Sequence, residues 1–199
     1  MEYLTHCTSF INALHIIMEK KVYFGNLMFA NDETEKAILE NEECTLYAFC
    51  TFGAEWGEIS STFWMTYAGG NKGAAITFCF ENEADIKEMF LPKKSDKGET
   101  EEIESFKMEY AKDEEVAIGD NSEEMGRLKN SIFEGEKEYR FLIKQPHRNY
   151  DSHIVRELNV GKIKKIILAV DYRLEKIART IFPEGNEYNI EVRPNIMIK

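Results

Sequence analysis

Glu136, Glu138 and Arg140 occupy alternate positions in the stretch FEGEKEYRFLI, residues 133 to 143. Successive side chains of a strand point to opposite faces, so these three are expected to share one face, with Tyr139, Phe141 and Ile143 on the other. The apolar set reads as core. The charged set places two carboxylates and a guanidinium in a row, each roughly 7 Å from the next along the strand. Such a row suits either a solvated ladder of ion pairs or a charged site, in which carboxylates do acid–base or electrostatic work and the guanidinium binds an anion. Leu142 continues the charged face, so that side is expected to be covered further along. A metal-dependent nuclease strand usually carries a lysine two positions after the Glu. Arg140 holds that spacing here, and arginine cannot act as a base.

Other chemistry-bearing patterns are weaker. Residues Gly69 to Gly73, GGNKG, offer backbone donors and the Lys72 ammonium, yet they match neither GxxxxGK[ST] nor GxGxxG. Cys7, Cys44, Cys50 and Cys79 show no CxxC spacing and no pair of histidines at zinc-ligand distance, so no metal is expected. Cys50 and Cys79 fall inside apolar runs and read as buried free thiols, the default of a reducing, cytoplasmic protein.

The elements that must position these residues follow from hydrophobic period and punctuation. The 199 residues, 12% of them aromatic, suffice to bury the core of one domain over 1–199, with a mobile charged loop near 92–102. The formal charge of −11 argues against general nucleic-acid binding, although a local basic patch could still hold a nucleotide. The N-terminal MEYLTHCTSF lacks a basic region followed by a long apolar stretch, so neither signal peptide nor membrane span is expected.

MEYLTHC predicts a first strand, followed by a helix capped by Thr8 or Ser9 with Ile11, Leu14, Ile17 and Met18 at helical spacing. KVYFG predicts a second strand, LMFANDETEKAILEN a helix opening at Asn31 or Asp32, and CTLYAFCTF a third strand. SSTFWMTYAGG predicts a helix ended by Gly69 or Gly70, KGAAITFCF a central strand covered on both faces, and EADIKEMF a short helix. Further on, IESFKMEYA reads as strand, NSEEMGRLKNSIF as helix, EKEYRFLIKQ as strand and HRNYDSH as loop. IKKIILAV is then a buried strand, DYRLEKIARTIF an amphipathic helix stopped by Pro183, and YNIEVRPNIMIK one or two closing strands. The sum is an α+β class with a mixed, split sheet, flanking helices and no strict βαβ rhythm.

Several of these stretches coincide with a known pattern. YLTHCTS (3–9), MFANDETE (28–35), FWMTYAGGNKGAAITF (63–78) and EGEKEYRFLI (134–143), followed by IKKIILAV (163–170), resemble the bacterial DUF2971 family, a domain of unknown function. The likeness runs over most of the chain. The order of the motifs is also similar to a compact ADP-ribosyltransferase fold, by analogy of arrangement.

That second resemblance implies NAD as substrate and an ADP-ribosyltransferase or NAD glycohydrolase of bacterial or phage conflict. It implies that Glu138 grips a ribose hydroxyl and stabilises the positive charge that builds as the nicotinamide bond breaks. Glu136 would orient or deprotonate an acceptor nucleophile, and Arg140 would bind pyrophosphate or merely neutralise Glu138. His6 would donate to a ribose or carbonyl group. Trp64 and Tyr67, spaced i,i+3, would stack nicotinamide or adenine, and Lys72 would face phosphate. Each has a plainer reading, as a satisfied histidine, a core pair and a flexible turn. Two other functions stay open: a non-catalytic nucleotide-binding or protein-interaction domain on the same fold, and a carboxylate-dependent hydrolase unrelated to NAD.

Overall fold

A computed structural model describes residues 1–29, 44–93, 100–111, 127–146, 150–187 and 189–195. The strands are β1 (Glu2–Ser9), β2 (Lys21–Asn26), β3 (Thr45–Phe52), β4 (Gly73–Phe80), β5 (Glu104–Lys107), β6 (Glu109–Ala111), β7 (Leu128–Asn130), β8 (Glu138–Gln145), β9 (His153–Glu157), β10 (Lys165–Asp171) and β11 (Ile190–Asn195). Two pairings, β10 with β11 and β6 with β7, are parallel, whereas β1, β4, β10, β2, β3, β5 and β8 meet in antiparallel ladders. The class is therefore α+β, with a mixed, mostly antiparallel sheet and flanking helices. No described helix is long and apolar enough to cross a membrane.

The chain divides into two compact units. The first comprises Met1–Lys21, Thr51–Phe90 and Glu157–Lys199. Its sheet runs β11, β10, β4, β1, and all eight residues of β4 are buried, as expected of an apolar strand with neighbours on both sides. Ser9 caps helix α1 (Phe10–Glu19) by accepting from the Asn12 backbone at 3.2 Å. The buried stripe of α1 is Phe10, Ala13, Ile16 and Ile17, so Ile11 and Met18, expected inside, face solvent. The apolar positions on α1 exceed one stripe, and the helix buries the set that includes Phe10, directly after the cap.

The segment after Ser60 is shorter as an α-helix than its pattern predicts. A single turn, Ser61–Phe63, runs into a π-helix, Trp64–Ala68, and Gly69 ends it in the left-handed region at φ 75°. Gly73 then begins β4 so close to this segment that a Cβ there would lie 2.3 Å from the Ala68 carbonyl oxygen. Both groups are backbone-fixed. Gly73→Ala is accordingly expected to lower stability by about 2–3 kcal/mol, measured by denaturant unfolding.

The second unit comprises Val22–Cys50 and Leu91–Arg156. Here β3 pairs with β2 and β8, and β8 pairs with β5. Leu46 and Ala48 of β3 pack with Leu142 of β8 and with Leu27, confirming that Leu142's side is covered. Two expectations need correction. IESFKMEYA forms two strands, β5 and β6, broken at Met108, whose N–H is drawn to the Glu138 carbonyl at 2.9 Å. The described part of NSEEMGRLKNSIF is strand β7 followed by a 3-10 helix, Ser131–Glu136, because β7 finds a partner in β6 that helical periodicity cannot reveal. The helix expected from Asn31 or Asp32 lies outside the described residues.

Candidate functional site

The charged stretch that opened the sequence argument is a buried cluster of four ionic side chains in the second unit. Glu138 begins β8, and Arg140 follows it on the same face. Glu136 is not on the strand. It ends the 3-10 helix Ser131–Glu136, and Lys137, at φ 46°, makes the left-handed step into β8. The parallel pair β6 and β7 sets Tyr110 beside Lys129, and both reach the start of β8.

Lys129 Nζ lies 2.7 Å from Glu136 Oε2 and 3.2 Å from Glu138 Oε2. Arg140 Nε donates to Glu138 Oε1 at 2.8 Å. The Tyr110 hydroxyl oxygen accepts the Glu138 backbone N–H at 2.8 Å, fixing the residue that carries the carboxylate. The Lys129 ammonium also sits 4.6 Å from the centre of the Phe133 ring. Tyr139, Phe141 and Ile143 are buried on the opposite face, as the alternation predicts.

Burial rules out the solvated ladder. Glu136 and Glu138 are each 5% exposed and Arg140 is 2% exposed. The reason lies on the neighbouring strand: Leu46, Ala48 and Cys50 share one face of β3 by alternation, Leu46 and Ala48 pack on Leu142, and the Cys50 thiol bonds the Glu138 carboxylate. Cys50 is itself exposed, contrary to its reading as a buried thiol, whereas Cys7 and Cys79 are buried and burial pushes their thiols up to about 12 and about 11.

Electrostatics then decide the state of the carboxylate. Burial alone pushes the Glu138 carboxyl up, but the Arg140 guanidinium, the Lys129 ammonium and the Cys50 thiol outweigh it and hold the group down to about 2. Burial pulls Lys129 down, and the two carboxylates more than reverse it, so its net shift is upward. Glu138 is thus an ionised carboxylate in a dry setting, suited to stabilising positive charge and unsuited to donating a proton.

The remaining predicted residues lie in the first unit. Trp64 is 3% exposed, packs with Cys7, Ala68, Ala75 and Ala169, and donates from Nε1 to the Gly70 carbonyl at 3.0 Å. It is core. Tyr67 is 38% exposed and stacks on Phe63 at 6.0 Å with Phe52 edge-on at 5.8 Å. The two lie on a π-helix, whose angular spacing differs from that of an α-helix, and Phe52 and Phe63 pack against both the Trp64 cluster and Tyr67. Cys7 packs against the Trp64 side of the sheet, so His6, the preceding residue of β1, points to the other face. Lys72 is exposed and closes the 3-10 turn Gly70–Lys72 before β4.

Three members of the cluster escape sequence reading. Lys129 precedes its carboxylates by seven and nine residues, a spacing that no local rule pairs, and Tyr110 and Cys50 arrive from separate strands. The first unit also holds an open cavity of about 680 Å³ between Arg179, Phe182 and the start of β11. Its walls include none of the predicted residues.

No family model matches the sequence, and no curated protein does. Among solved structures the chain is similar to "Thermus sp. 2.9 DarT in complex with NAD+", over 96% of this chain and 94% of that one, at 11% identity and a TM-score of 0.42.

Proposed function

We propose that the chain is an NAD-cleaving enzyme, an ADP-ribosyltransferase or NAD glycohydrolase, with Glu138 as the carboxylate that stabilises the cation forming on ribose. The observation that supports this reading best is the Glu138 carboxylate buried in a nearly dry setting and held as an anion by Arg140 and Lys129. In the reaction the electron pair of the ribose–nicotinamide bond leaves with the nicotinamide nitrogen and neutralises its pyridinium charge. The cation left on the sugar is captured by water or by an acceptor hydroxyl, amine or ring nitrogen, which loses a proton. In this reading Glu136, which shares the Lys129 ammonium with Glu138, orients the acceptor or receives that proton. The transferase-like motif order in the sequence is in keeping with this reading.

A second reading has its own observation. Both Glu138 oxygens are engaged, by Arg140 and by Lys129, which is the arrangement of a charged brace inside a non-catalytic nucleotide-binding or protein-interaction domain. Titration with NAD and detection of free nicotinamide separate the two: release supports the enzyme, and binding without release supports the binding domain.

The pH profile follows from the depressed carboxyl. With Glu138 held to about 2, its charge is retained across the range from pH 4 to 8. Any acid limb that Glu138 contributes to nicotinamide release is expected below about pH 3. An acid limb near pH 5 or 6 that disappears in Glu138→Gln would contradict the assignment.

A further inference from the structure

We infer that Lys129 is the positioning residue that allows Glu136 and Glu138 to be ionised together, so that the pair acts as a dianionic cradle for a developing cation and not as an acid–base dyad sharing a proton. The inference rests on the proposed function for its chemical meaning and on geometry for its substance. One ammonium, 12% exposed, contacts Oε2 of both carboxylates, so those oxygens lie no farther apart than the sum of the two contacts, 2.7 and 3.2 Å. Two buried carboxylates held on one ammonium disfavour each other's charge, and without the intervening cation one of them is expected to take up a proton more readily.

Described groups facing the pair come from several neighbouring elements. Arg140 on β8 bonds Glu138 through the other oxygen, Oε1. Tyr110 on β6 holds the Glu138 backbone, and Cys50 on β3 donates to its carboxylate. Phe133, on the 3-10 helix, faces the Lys129 ammonium with its ring. Lys129 is a cation set against both carboxylates. Its two acceptors also fix the direction in which each carboxylate points, which places the remaining lone pairs. The substrate class this favours is a sugar with a cationic leaving group: charge already on the leaving ring needs no proton from the enzyme, and the charge that passes to the sugar needs an anionic neighbour.

The test uses the full chain and reads ionisation directly. Carboxyl-carbon NMR on protein labelled at glutamate, titrated from pH 8 downward, is compared for wild type, Lys129→Met, Lys129→Arg and the double variant Lys129→Met with Glu136→Gln. In wild type the Glu138 resonance is expected to stay ionised to pH 4. In Lys129→Met one of the two carboxyls is expected to titrate above pH 5, and nicotinamide release to fall at least tenfold with an acid limb moved up by a pH unit or more. Lys129→Arg should restore the wild-type titration. The double variant, with one carboxylate removed along with the ammonium, should return Glu138 to ionisation at pH 4 and remains informative if Lys129→Met alone does not fold. Titration unchanged in Lys129→Met, or a double variant still titrating above pH 5, overturns the inference. A wild type that releases no nicotinamide while the titrations behave as stated refutes the enzyme reading and leaves the role of Lys129 standing.

Discussion

Replacing Glu138 by glutamine is expected to lower nicotinamide release from NAD by roughly a hundredfold or more, with a far smaller change in ligand affinity. The substitution keeps the shape of the side chain and removes the charge that opposes the forming ribosyl cation. It is also expected to weaken the fold. On an exposed strand face the change would cost at most about 1 kcal/mol, but Glu138 is 5% exposed and carries both Arg140 and Lys129. Removing one partner of a buried pair leaves charge uncompensated, and a loss of about 3 kcal/mol follows. Activity and unfolding must therefore be measured on the same sample, at a temperature where the variant is folded.

The pH dependence of stability carries the same signature with a definite sign. The carboxyl of Glu138 has its folded-state pKa lowered from 4.5 to about 2. Its contribution is thus fully present above pH 4.5 and lost as pH falls toward 2, a loss on the order of 3 kcal/mol. Denaturant unfolding at a series of acid pH values should show this limb in wild type and a reduced one in Glu138→Gln.

Removing the guanidinium is expected to have the largest effect on stability. Arg140→Met fills much of the same volume yet leaves Glu138 short of its strongest counter-charge in a position 2% exposed in wild type. The expected loss is about 3–5 kcal/mol. Because the lost cation is the main group holding the Glu138 carboxyl down, the acid limb of stability should move to higher pH. Arg140→Lys should recover only part of the loss, since a single ammonium on a flexible stem does not reproduce the fixed donor geometry of the guanidinium. An Arg140→Met protein as stable as wild type would show that the cluster is open to water.

Much of this was legible in the sequence where local pattern decides. The period-two alternation from 138 to 143 placed Tyr139, Phe141 and Ile143 in the core, the cap at Ser9 placed the first helix, and the unbroken apolar run from Gly73 to Phe80 marked a strand covered on both sides. What local pattern could not supply is the identity of distant partners. Lys129 read as a polar helix position because nothing in RLKNSIF announces that β7 will pair with β6. Glu136 reads as a strand residue because the sequence does not show the left-handed step at Lys137. The segment carrying Trp64 and Tyr67 reads as α-helix, and sequence does not show that it forms a π-helix. In each case a pairing between remote segments, or a local departure from a regular period, outweighed the pattern within the segment.

The most direct measurement is nicotinamide release from NAD by purified wild type and by Glu138→Gln, with thermal unfolding recorded on both. The account predicts release by wild type, a loss of roughly a hundredfold or more in the variant, and a variant that is less stable but folded at the assay temperature. No release by folded wild type, or release undiminished in folded Glu138→Gln, would contradict it.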